Sequence, residues 1–109
     1  MTEIIVFRKN GRIAGFEASG HTGYAESGED IVCAAVSAIT QTAVLGITDI
    51  VKCPAAFERE DGKLCFMLDK SVKGKSLEQA ELILGTMLTG LRSVKNEYSK
   101  YIKLTEREV

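Results

Sequence analysis

The segment SGHTGYAESGEDIVCAAVSAITQ, residues 19–41, holds two side chains able to share nucleophilic chemistry: Cys33, one of three cysteines, and His21, the only histidine of the chain. A thiol attacks a carbonyl as its thiolate, and an adjacent imidazole can take the proton and later return it to a leaving amine. Any cysteine–histidine catalysis in this chain must therefore use His21. Gly20 beside it, with Gly23 and Gly28 in the same stretch, leaves room for close approach of a substrate backbone and for loop movement. Asp30 reads as the N-cap of a helix, its carboxylate accepting an unpaired amide and complementing the helix dipole. Cys33 then falls at the third helical position, where the dipole and free amides favour the thiolate. The Asp30 charge opposes this, and His21 can supply the balancing cation. Ser37, one helical turn beyond Cys33, shares its helix face and can hydrogen-bond a substrate. Backbone amides at the helix start, that of Cys33 included, are candidate oxyanion donors.

A packing account competes with this chemical one. A small cysteine in an alanine-rich helix and a histidine at a strand end are both common structural features, and spacing alone leaves the two readings open. Cys65, in a strand whose alternate positions are Leu64, Phe66 and Leu68, reads as core or near-core, and Cys53, before Pro54 at a helix exit, as structural. His21, Cys33, Cys53 and Cys65 contain no close-spaced pair of the C-x-x-C kind, so neither a metal nor another cofactor is expected. Three widely spaced cysteines suit a reducing compartment and do not suggest a disulfide framework.

These residues need elements to position them. Residues 3–8 and 12–19 are apolar-rich runs separated by Lys9-Asn10-Gly11, and Asn-Gly between two such runs signals a hairpin with a type I′ turn. Residues 55–59 and 63–69 flank Glu60-Asp61-Gly62, a second hairpin by the same chemistry. Helices are expected from Asp30 to about Lys52 and from Ser76 to about Tyr98. The second carries Leu77, Ala80, Leu84, Met87, Leu88, Leu91 and Val94 as a one-sided apolar stripe, with Ser76 and Gln79 at capping-box spacing. In the first, Ala34, Ala35, Ser37, Ala38 and Gly46 permit close backbone approach and predict a buried helix. A closing strand is expected over residues 98–105. The order hairpin, helix, hairpin, helix, strand defines an α+β class, a mainly antiparallel sheet packed with two helices, in one domain spanning residues 1–109.

Fourteen basic and fifteen acidic residues give a net charge of −1, too little positive field for direct nucleic-acid binding through phosphate neutralisation. The N-terminal residues lack the basic and apolar pattern of a signal peptide, and no segment reads as the roughly 20 apolar residues of a membrane span. A cytoplasmic protein without a membrane partner is expected.

Gly20-His21, Gly28 and the run Asp30-Ile31-Val32-Cys33-Ala34-Ala35-Val36-Ser37 resemble the signature of the bacterial ribosomal-processing cysteine proteases, and the similarity runs the length of the chain. Thr22 stands where the family often has alanine. The resemblance implies Cys33 as nucleophile, His21 as general base, and Asp30 and Ser37 in support. It implies a substrate, a large-subunit ribosomal protein whose short N-terminal extension is removed after an aromatic residue, and a homodimer. Two alternatives stand beside it: a non-catalytic ribosome-associated binding module, and a small thioesterase or amidase using the same pair. Glycines in the 22–29 stretch further suggest a loop that assembles the site around the correct peptide.

Overall fold

The structure, a computed structural model, describes residues 1–20 and 27–109. Strands β1 (Thr2–Lys9) and β2 (Arg12–Ser19) lead to helix α1 (Ser27–Leu45), which continues through a π-helical segment, Gly46–Val51. Strands β3 (Ala55–Glu60) and β4 (Lys63–Leu68), helix α2 (Gly74–Glu97) and strand β5 (Ile102–Glu108) follow. The single sheet has the order β3-β4-β2-β1-β5. Every pairing is antiparallel except that of β1 with β5. The expected α+β class and order of elements are both present.

The hairpin residues carry the physics of the turns. Asn10 and Gly11 both take positive φ, 54° and 78°, as the type I′ turn requires. The second hairpin differs from expectation. Only Gly62 turns positive there, at 76°, while Asp61 does not, so it is not the mirror-image turn of the first. In the first hairpin the pairing jumps from Phe7 with Gly15 to Arg8 with Ile13, leaving Ala14 as a bulge. That extra residue brings Ile13 onto the core face together with Phe16 and Ala18, although its parity differs from theirs.

One cluster forms the core: Ile4 and Val6 of β1, Phe16 of β2 and Phe66 of β4 meet Val32, Val36, Val44 and the α2 stripe Ala80, Leu84, Met87, Leu88 and Leu91. Phe16 and Phe66, partners in register, stack with ring centroids 5.6 Å apart. A side chain at Gly15 would run into the backbone of Phe66, which explains a glycine in the middle of β2.

Four sequence expectations need correcting. Helix α1 begins at Ser27, so Asp30 is its fourth residue and not an N-cap, and Gly28 belongs to the helix and not to the loop. Of the small residues expected to be buried, Ala34, Ser37 and Ala38 are exposed and Ala35 and Gly46 only half-buried, while the covered side of α1 is made by Val32, Val36, Thr40, Ala43 and Val44. Asp30–Val51, 22 residues, does have the length and composition of a membrane span; here one side of it packs on the sheet and on α2. Finally, α2 starts at Gly74 after an extended Lys73 with no side-chain cap, which places Ser76 inside the helix and removes the capping box.

Candidate active site

Cys33 is brought to the sheet by the last positions of the β1–β2 ladder. Glu3 pairs with Ser19, so Thr2 and Gly20 stand opposite one another on the same face as Ile4, Val6 and Ala18, beneath α1. The Cys33 thiol is half-buried over this pair, with Sγ 3.0 Å from Oγ1 of Thr2. Gly20 has its backbone fixed by donating to the Gly62 carbonyl at 2.8 Å. A Cβ at position 20 would lie 3.2 Å from the Cys33 sulfur, a distance that would force the thiol to move. Glycine leaves the sulfur this seat without that shift of a few tenths of an ångström.

The thiol opens into a cleft of about 290 Å³ bounded by Thr2, Gly20 and Ser37 on one side and by the β3–β4 turn, residues 59–63, on the other. Ser37 is exposed and lines the cleft together with Cys33, as the one-turn spacing predicted. Arg59, at the end of β3, donates to Oε1 of Gln41 in α1 at 3.4 Å and ties the turn to the helix across the cleft. Of the residues singled out from sequence, Gly20, Cys33 and Ser37 are brought together, and Asp30 is exposed and does not line the cleft. His21 and the 22–26 part of the proposed gating loop lie outside the described residues.

The start of α1 at Ser27 alters the electrostatics proposed for the thiol. Cys33 is the seventh helical residue, past the first turn where helix amides are free, so its N–H belongs to the helical ladder and cannot serve as an oxyanion donor. The charge of the dipole also fades beyond the first turn. Thr2, whose Oγ1 lies 3.0 Å from the Cys33 sulfur, is a cleft residue that the sequence reading missed. Its signal was its parity with Ile4 and Val6, which put a hydroxyl on an otherwise apolar strand face.

The other two thiols are differently placed. Burial pushes the Cys53 thiol up from its ordinary value, and Cys53 donates to the Ser76 carbonyl at 3.7 Å. Cys65, on the sheet face opposite Phe66, is held up by burial and then by the carboxylates of Glu17 and Glu58, partly offset by Lys63. Both favour the unreactive thiol form. Among the described residues no group of three histidine, cysteine or acidic side chains is arranged to hold a metal.

Of the three thiols, the half-buried Cys33 is the one that lines the cleft, and a thiol so placed on a small α+β domain suits the class of thiol-dependent enzymes. The sequence pattern of the family described as cysteine protease Prp matches residues 1–103, and the chain belongs to that family. It is 31% identical over 104 residues to the ribosomal processing cysteine protease Prp of Staphylococcus aureus strain Mu50, covering 95% of this chain and 96% of that relative. The structure of an essential ribosomal processing protease Prp from S. aureus in complex with a substrate peptide aligns with a TM-score of 0.87 at 25% identity, covering 98% of this chain and all of that one. The S. aureus protease with a covalently linked product peptide aligns at 0.82 and 26% identity, with the same coverage. The chain is accordingly a cysteine protease.

Proposed function

We propose that this cysteine protease removes the short N-terminal extension of a large-subunit ribosomal protein, with Cys33 as nucleophile and His21 as general base. The carrying observation is the Cys33 sulfur at the floor of an open cleft, on a fold shared with proteases whose structures hold substrate and product peptides. The Cys33 thiolate attacks the scissile carbonyl, His21 delivers a proton to the departing amine, and water then hydrolyses the thioester to release the acid and restore the thiol. Ser37, on the cleft wall one turn from Cys33, is placed to hydrogen-bond the bound peptide.

The same reading puts the enzyme in the cytoplasm as a homodimer. Support for a second copy comes from Leu45, Ile50 and Leu82, which stand more than half exposed on the helical side of the molecule. Light scattering on the purified chain tests the dimer.

Mass spectrometry of the extended ribosomal protein incubated with the wild type, Cys33→Ala, His21→Ala and Cys53→Ala tests the activity. Cleavage by the wild type and Cys53→Ala alone is the expected result. Cleavage by Cys33→Ala would remove that residue from the mechanism, and inertness of the wild type would remove this substrate.

A further inference from the structure

β1 alternates inward-facing residues Thr2, Ile4 and Val6, all of them buried. The latter two are part of the core, but Thr2 puts a hydroxyl where the pattern calls for a methyl. Thr2 is only 2% exposed, and a buried hydroxyl needs a hydrogen-bond partner. Among the described residues its side chain has one, the Sγ of Cys33 at 3.0 Å. We infer that Thr2 is a positioning residue for the protease reaction: its hydroxyl donates to the Cys33 sulfur and keeps it turned toward the cleft. This rests on the reading of Cys33 as nucleophile.

The rigidity of Thr2 makes it suited to that task. Its amide donates to the Tyr101 carbonyl at 3.0 Å, and it stands in register with Ile102 of β5, so its backbone is held from the strand on its other side. Branching at Cβ restricts χ1, so the hydroxyl direction is set by the strand. The sulfur is thus bounded by two fixed surfaces, the Thr2 oxygen and the backbone of Gly20, where a Cβ would lie 3.2 Å from Sγ and 3.9 Å from Oγ1. A thiolate can only accept, so the hydroxyl must donate to it, and its proton remains on the threonine oxygen throughout. When the sulfur becomes part of a thioester it loses its charge, and the bond weakens. It strengthens again as the thiolate departs in the second step. Because the thioester sulfur is uncharged, the hydrogen bond is gained as charge builds on the departing sulfur in the second step, so it is felt in turnover and not in uniform binding of the peptide.

The test compares Thr2→Val, which keeps the shape and removes the hydroxyl, with Thr2→Ser, which keeps the hydroxyl. Steady-state cleavage of the extended ribosomal protein, thermal melts and the rate of iodoacetamide labelling at Cys33, resolved by peptide mass spectrometry, are measured for each. The expected result is a kcat for Thr2→Val lower by roughly 10-fold or more, a KM within about twofold of wild type and slower Cys33 labelling, with most of the activity restored in Thr2→Ser. Wild-type kcat in Thr2→Val, or equal impairment of Thr2→Ser, overturns the inference. Should Thr2→Val melt below the assay temperature, Thr2→Ala assayed below its own melting point takes its place, judged by the same kcat loss and the same serine rescue. Cleavage by Cys33→Ala is a separate outcome, which overturns the nucleophile reading itself.

Discussion

The two hairpin-helix units repeat one order of elements and use it differently. In the first, the hairpin is bulged at Ala14, the following helix turns only one stripe inward, and its outward and lateral faces carry small residues and the Cys33 thiol. In the second, the hairpin runs without interruption in its register, and α2 commits Ala80, Leu84, Met87, Leu88 and Leu91 to the core. The cleft lies where the units meet, with the thiol from the first and the turn at residues 59–63 from the second. A helix that fills a core selects large apolar side chains along one face. A helix that presents a nucleophile needs small ones around it, so that a peptide can come close.

The division can be broken first at its chemical end. Cys33→Ala should lower cleavage by about 1,000-fold or more with little change in melting temperature, as expected for loss of a nucleophile that is not part of the core. An equal loss in Cys53→Ala would show that thiol chemistry is not confined to the first unit. Leu84→Ala should act in the opposite way, costing about 2–5 kcal/mol in urea unfolding while the folded fraction keeps its turnover. Gly20→Ala sharpens the contrast from the seat of the thiol: a methyl group crowding Sγ should reduce kcat by roughly 10- to 100-fold, a cost of misplacing a reacting atom.

The smallest expected effect lies at the joint between the units. Glu106 of β5 pairs with Arg8 of the first unit and with Arg92 of the second, at 3.0 Å for the latter. The hydrogen bond from Arg8 above all, with Arg92 adding to it, holds its carboxyl below the usual range against a smaller effect of burial. Because the folded value is depressed, this contribution is fully present above the unfolded carboxylate pKa of about 4.3 and is lost as pH falls through the folded value. With the pair about a third exposed, Glu106→Gln should cost about 1 kcal/mol or less in urea unfolding at neutral pH, and the difference from wild type should shrink on acidification.

Much of this was legible in the sequence because it rests on local chemistry. Asn10-Gly11 can scarcely be anything but a tight turn between two apolar runs, and the α2 stripe repeats with the helical period over five turns of chain. The bulge at Ala14 was not legible, since its signature is a parity change visible only once Phe7 has been paired with Gly15. The start of α1 was misread because Asp30 is a good capping residue, whereas the helix extends back through Gly28, a poor helix former whose inclusion the local propensities do not suggest. Thr2 and Arg59 reach the cleft through strand order, β1 beside β5 and β3 at the far edge, which no local pattern of residues states. The pairing of Thr2 with the Cys33 sulfur likewise joins residues 31 positions apart.

The parallel pairing of β1 with β5 also sets a timetable. Thr2 is locked by Tyr101 and Ile102, one hundred positions further along the chain, so the strand end beneath the thiol is secured only after both helices have been made. Closing so long a loop is among the late and slow events of folding. A growing polypeptide therefore carries Cys33 out of the ribosome well before it carries β5, the strand that completes its seat.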